Sequence, residues 1–167
     1  MGEGSVTSEF QFRSYKVDRF KLETKPQVGL LARREGFSPE DWDIKFRFRH
    51  PVYLKKEKTY VGGLDMLVSI LEERKESEDA DNSMGPFLVR LDAGIAGTFT
   101  VSGRLDKKTE ETLVKIQIPA LLLPYLRGTI SSFLANSGFG TLIFPLINIH
   151  TAAENALKDV EIEIVED

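Results

Sequence analysis

Phe87-Leu88-Val89-Arg90-Leu91-Asp92-Ala93-Gly94-Ile95-Ala96-Gly97-Thr98-Phe99-Thr100-Val101 is the stretch that decides the fold. Every odd position from 87 to 101 is apolar or glycine, whereas the even positions include Arg90, Asp92, Thr98 and Thr100. A period of two held this long predicts one continuous β-strand with a single face on a core. Gly94 and Gly97 mark a bend or a close approach. Upstream the alternation is found again. Leu64, Met66, Val68 and Ile70 share one parity, opposite Asp65, Leu67, Ser69 and Leu71. The cleanest case is Trp42, Ile44, Phe46 and Phe48 against Asp43, Lys45, Arg47 and Arg49. From Glu9 to Phe20, Phe10 and Phe12 hold one parity and Tyr15 and Val17 the other, which predicts a bulge or a bend inside a first strand.

The connections complete this half of the chain. Thr24 to Asp41 is long and irregular, with Pro26, Gly29, Gly36 and Pro39 around Leu30, Leu31 and Phe37. Loops of this length are uncommon in compact domains unless they do something. Lys55 to Lys58 reads as a solvated turn, and the charged run Glu72 to Ser83 as an exposed hairpin loop. Four strands with hairpin-type spacing predict an antiparallel meander.

After Gly103 the period changes. Asp106 to Lys115 reads equally as a short helix or a loop. Pro124 suits a first helical turn. Leu126, Ile130, Phe133 and Leu134 then recur at helical spacing, and Gly138 stands where a helix would end. A shorter helix is expected over about 151–157, with Asn148 or His150 near its cap. Val160, Ile162 and Ile164 alternate with glutamates, so the end reads as an extended arm. The organisation expected is a frayed start at 1–8, a single domain over 9–158 and an acidic arm over 159–167. Strands first and helices last make the fold class α+β: a four-stranded antiparallel sheet with a long helix packed on one face.

Composition narrows the function. The 167 residues, 41% of them hydrophobic, suffice for one buried core. No uninterrupted apolar run approaches the ~20 residues of a membrane span, and Met1 to Ser5 has neither the basic nor the apolar region of a secretory signal. There is no cysteine, hence no disulfide, thiolate nucleophile or thiolate zinc site. These features fit a cytoplasmic protein. The formal charge is −4, and the acidic end from Asp159 to Asp167 would repel a phosphate backbone, so nucleic acid is not the expected partner.

Catalytic motifs are missing too. No Gly-x-Ser-x-Gly elbow, phosphate-binding loop or dinucleotide fingerprint occurs. His50 and His150 lack the third ligand that a metal pair would need, and the carboxylates fall in solvated runs. Neither a cofactor nor a metal is therefore expected. A small-ligand enzyme on a helix-packed sheet would need a carboxylate or histidine aimed at a tunnel beside the central helix, and Gly128 and Thr129 supply none. What stands out is unassigned apolar surface. Leu30, Leu31, Phe37, Leu67, Leu71, Leu121 to Leu123, Ile143, Phe144, Ile147 and Ile149 have no obvious place in a two-layer core. Such surface reads as a thicker core, an oligomer interface or a groove for apolar chain segments.

One block carries a resemblance. Leu123-Pro124-Tyr125-Leu126-Arg127-Gly128-Thr129-Ile130-Ser131-Ser132, continuing through Gly138-Phe139, Leu142, Pro145 and Asn148, resembles the SecB export-chaperone family. That family carries a Phe-Pro-Tyr-x-Arg-x-x-Ile-Ser helix start, then Gly-x-Phe-Pro-x-Leu and Pro-Val-Asn segments. Tyr15, Asp18 and Glu23, the pair Asp41-Trp42, and Ala96 to Gly103 resemble further family segments in the right order. The resemblance implies a dimer of dimers acting as an ATP-independent holdase, which binds unfolded precursors before export and hands them to the SecA motor. It implies a client groove at Leu30, Leu31, Phe37 and Trp42 on the loop side and Ile147 and Ile149 on the other. Asp18, Glu23 and Asp92 would be the SecA contact. The zinc-binding Cys/His tail of many export members is missing here, which opens the variant of a SecB-like holdase serving one client, such as an antitoxin.

Overall fold

The computed structural model describes residues 10–29, 39–71 and 87–166. Among these residues six strands form one sheet: β1 (Phe10–Thr24), β2 (Trp42–Phe48), β3 (Val52–Leu54), β4 (Thr59–Leu71), β5 (Phe87–Val101) and β6 (Glu163–Val165). The sheet runs β1-β5-β4-β3-β6, with β2 also paired to β4. Two expectations need correction. The sheet is mixed rather than four-stranded and antiparallel, because β6 pairs parallel to β3. Nor is it a simple meander, because β1 lies beside β5, the last of the long strands, and not beside β2. The connection after Thr24 thus carries the chain from one side of the sheet to the other. The Glu72 to Ser83 loop lies outside the described residues.

The parity change in β1 is a pair of bulges, between Phe12 and Ser14 and between Val17 and Arg19. Each inserts one extra residue, Arg13 and Asp18, and the second restores the original parity. Phe10, Phe12, Tyr15, Val17, Phe20 and Leu22 therefore pair with core-facing positions of β5, as in Phe12 opposite Phe99 and Leu22 opposite Leu91.

A helical segment covers that face. Asp106 caps α1 (Lys107–Thr112) by accepting from the Thr109 N–H at 3.1 Å. Five residues of π geometry, Leu113–Gln117, join α1 to α2 (Ile118–Asn136) without a break. The Ile118 N–H donates to the Leu113 carbonyl five residues back. A π turn displaces the hydrogen-bond ladder, here just where Pro119 has no N–H to give. Pro124 consequently lies inside the helix rather than at its start. The helix begins some 17 residues upstream of the expected Pro124. Its length and composition alone would suit a membrane span, but its apolar stripe is used on the sheet: Ile118, Leu122, Leu126, Ile130 and Leu134 are fully buried. Leu122 and Leu123, unassigned in the sequence, are core residues for the same reason.

Two glycines let the layers close. Gly62 and Gly97 face each other on β4 and β5. A Cβ on Gly62 would sit 2.5 Å from Ile118 Cγ2, and one on Gly97 2.7 Å from Leu122 Cδ2. At the other end α2 stops in a Schellman motif. The Phe139 N–H reaches the Leu134 carbonyl at 3.0 Å, and Gly138 takes φ +85°. Asn148 caps α3 (Ile149–Leu157) by accepting from the Thr151 N–H at 3.2 Å. The C-terminal arm is extended, and its β6 closes against β3.

Candidate functional site

The apolar side of the site starts at Trp42. Its parity sends the indole toward the core, and its half-buried ring meets Phe139 edge-on at a centroid distance of 6.4 Å. Phe139 is the residue fixed by the Schellman cap of α2. Around this pair Val28, Ile70 and Val89 form a small buried cluster, with Leu22 and Leu88 packed against it. Val28 belongs to the stretch that leaves β1. The connection after β1 and the segment after α2 therefore converge on one Trp42–Phe139 contact.

Beyond Phe139 the chain runs without regular structure to Asn148. Arg127 holds it against α2: Nη2 donates to the Pro145 carbonyl at 3.1 Å, and the guanidinium lies 5.6 Å from the centre of the Phe144 ring. Leu142 is buried, whereas Ile143 is 65% exposed and Leu146 fully exposed. The tether fixes the backbone and leaves two large aliphatic side chains in water. Packing does not account for them.

Of the six client-groove positions, the structure brings Trp42 to this surface and leaves Ile147, next to Leu146 in sequence, half-buried. Ile149 is corrected. At 8% exposure it belongs to the main core, because it is the first residue of α3 and faces inward. Leu30, Leu31 and Phe37 lie outside the described residues. Sequence reasoning gave Phe139 no place in the groove; its signal was its position directly after Gly138, where the helix was expected to end.

A second apolar surface lies on the outer side of α2 and β1. Tyr15 and Tyr125 are tilted at 4.5 Å, Phe12 lies 5.6 Å from Tyr125, and Phe20 meets Phe133 at 4.7 Å. Tyr15, Leu121, Tyr125 and Phe133 all remain substantially exposed. Phe133, which helical spacing groups with Leu126, Ile130 and Leu134, is 37% exposed and lies at the margin of the helix–sheet contact.

The opposite face of the sheet is polar and centred on Asp65. Arg47 donates to its Oδ2 through Nε at 2.9 Å and Nη2 at 2.7 Å. Arg49 donates to Oδ1 through Nε and Nη2 at 2.9 and 2.6 Å, and Arg19 adds a contact at 3.2 Å. Burial pushes this carboxyl up, but the hydrogen bonds from Arg49 and Arg47 outweigh it and hold Asp65 below the usual carboxylate range. Arg49 also grips Asp18 through two bonds of 2.6 and 2.7 Å, which hold Asp18 low. All three acidic contact candidates are ion-paired within the chain: Asp18 to Arg49, Glu23 to Lys21 at 3.0 Å and Asp92 to Arg19 at 3.0 Å. Among the described residues no cluster of three or more His, Asp or Glu side chains is placed to hold a metal.

Residues 67–158 match the family described as preprotein translocase subunit SecB. The chain belongs to the SecB family. A comparison with curated protein sequences found no match. Among solved structures, this SecB family chain is similar to a SecB-like chaperone of Mycobacterium tuberculosis in complex with a ChAD peptide from the HigA1 antitoxin. The TM-score is 0.58 at 12% identity, over 83% of this chain and 91% of that one. At that identity the likeness is one of fold, and it includes the α+β architecture with a long helix on the sheet. The protein is thus a SecB-like chaperone by family.

Proposed function

We propose that this SecB family member is a nucleotide-independent holdase that keeps unfolded polypeptide segments from aggregating by binding them along the surface running from Trp42 and Phe139 to Leu146. The observation that carries this reading is the tethered segment 140–147, which exposes Ile143 and Leu146 beside the buried Leu142. Large aliphatic side chains held in water on a fixed backbone are a ready binding strip, and burying each against a client would contribute roughly 1.5–3 kcal/mol. The loop residues Leu30, Leu31 and Phe37 would extend the strip on the Trp42 side, with Ile147 on the other.

Dedication to one client, such as an antitoxin, is supported by the structural neighbour that holds an antitoxin peptide. Export through SecA draws on family membership, with Asp18, Glu23 and Asp92 as its contact candidates. Assembly into a dimer of dimers would cover the Tyr15, Tyr125 and Phe133 surface, since obligate interfaces are large and apolar.

The test is suppression of aggregation of a chemically denatured client, with no nucleotide added. Wild-type protein should suppress it. An Ile143→Ser, Leu146→Ser double variant should keep its melting temperature and lose about tenfold or more in client affinity. Unchanged affinity in a well-folded double variant would remove the strip from the binding site.

A further inference from the structure

The arm that ends in β6 is weakly attached. β6 is three residues long and pairs in the parallel sense with the equally short β3, a pairing slightly less stable per residue than the antiparallel one. Two backbone bonds frame it: the Glu163 N–H donates to the Pro51 carbonyl at 3.0 Å, and the Lys55 N–H to the Val165 carbonyl at 3.1 Å. Side chains add little. Ile164 is 62% exposed, and Lys55 and Glu166 form an ion pair on the open surface, where such pairs contribute little. A gap of about 420 Å³ lies between the arm and α1, lined by Tyr53, Glu110 and Lys115 as well as by Val160, Ile162 and Ile164. The arm bridges this space without filling it.

What β6 covers is built more firmly. On its other side β3 pairs with β4 over Val52, Tyr53 and Leu54. Tyr53 lies against Tyr60 at 4.6 Å, and the buried Tyr60 donates to the Glu110 carboxylate at 2.5 Å, which ties this corner to α1. Removing the arm would therefore leave β3 standing with unpaired backbone groups, a template for an extended chain.

We infer that β6 is an exchangeable strand: it guards the β3 border and gives way to an extended segment of an unfolded polypeptide with aliphatic residues at alternate positions. The chain's own arm describes that occupant. Val160, Ile162 and Ile164 alternate with Glu161 and Glu163, and the register runs from Glu163 opposite Val52 to Val165 opposite Leu54. An incoming strand of the same sense would make the same backbone bonds. The inference rests on the holdase reading for the source of that segment, but the seat uses neither Ile143 nor Leu146.

The probe is a fluorescent peptide of the arm sequence, Val-Glu-Ile-Glu-Ile-Val-Glu, added to the full-length protein. A control peptide carries proline in place of Glu163 and so lacks the N–H that reaches Pro51. Two full-length variants loosen the arm by unrelated means: Glu163→Pro removes that N–H, and Glu166→Lys sets like charge beside Lys55. A third, Leu54→Cys with Val165→Cys, locks it on oxidation, because these residues are paired and the chain has no other cysteine. An attached arm competes as if present at about millimolar concentration, so the peptide should bind the loosened variants about tenfold or more tightly than wild type. The oxidised lock should not bind it, reduction should restore binding, and the proline peptide should bind no form. The loosened variants should also hold denatured client more tightly than the oxidised lock does. Equal peptide affinity in loosened, wild-type and locked proteins would overturn the exchange, as would equal binding of the proline peptide. Equal client holding by loosened and locked proteins, with peptide exchange intact, would overturn the unfolded client as occupant. The Ile143→Ser, Leu146→Ser variant should bind the peptide as wild type does, and loss of binding there would overturn the seat on β3. A failure of the holdase reading has a separate signature: no form of the protein, wild type included, would hold client, while the peptide still distinguished loosened from locked.

Discussion

The two faces of the sheet use the same backbone device for opposite chemistry. On the helix face, Gly62 and Gly97 remove two side chains so that Ile118 and Leu122 can approach the strands. On the open face, Gly63 and Gly94 do the same for Arg49. The first gap is filled by methyl groups, whose burial is non-directional and roughly proportional to area. The second is filled by a guanidinium that must find partners, and it finds Asp18 and Asp65 within 2.9 Å. Steric room alone therefore does not say what a strand glycine is for. The chemistry of the side chain that enters does.

The sharpest way to break the comparison is on the helix face. Leu122→Ala removes a fully buried side chain that packs over Gly97, and a loss of about 3 kcal/mol is expected in urea unfolding. A loss below ~1 kcal/mol would mean that the layers can collapse onto the gap. On the open face, Asp65→Asn should cost about 2 kcal/mol. That is less than the ~3–5 kcal/mol of a fully buried pair, because Arg19, Arg47 and Arg49 keep contact with water.

The charged face should also respond to acid where the apolar face does not. Asp65 and Asp18 have folded-state pKa values below their unfolded ones. Their stabilisation is present above the unfolded value of about 3.9 and is lost as pH falls through the folded values. Melting temperature should therefore hold from neutral pH down to about pH 5 and drop below about pH 4. In Asp65→Asn that drop should be smaller. The smallest effect belongs to Lys45→Glu. Lys45 is exposed and paired with the exposed Asp43 at 3.3 Å, so stability should change by no more than about 0.5 kcal/mol.

The strands were legible because a period of two survives wherever one face is dry. Even the first bulge of β1 appears in the sequence as Phe10 and Phe12 giving way to Tyr15. The start of the helix was not legible. Lys107 to Thr112 is polar, the π turn shifts the helical phase, and Pro119 and Pro124 both imitate a first turn. Strands of three residues, such as β3 and β6, are too short to show a period. The placement of β1 beside β5 is a long-range pairing that no local pattern encodes.

The site was legible in part. Trp42 is visible from its strand and Gly138 from its helix stop, but their meeting through Phe139 depends on tertiary structure. Ile149 looked like groove because nothing local distinguishes an inward first turn from an outward one. The Asp65 cluster has a signal that could have been used: a lone carboxylate between Leu64 and Met66 in a strand otherwise nearly free of charge. Its partners come from β1 and from the end of β2, so only the fold assembles them.

The two bulges of β1 have a consequence for a protein proposed to hold unfolded chains. β1 is fifteen residues long, and among the described residues it borders the sheet with no strand against its far side. An unbroken border of that length is a template on which a sticky segment could zip up as a further strand. Here Arg13 and Asp18 are the extra residues, one at each interruption, and both are charged. Arg13 donates to Thr100 Oγ1 at 2.7 Å, and Asp18 is locked to Arg49. They cut the border into runs of three, four and six residues with broken register. The chaperone's own sheet is thereby made a poor seed for the aggregates it would be guarding against.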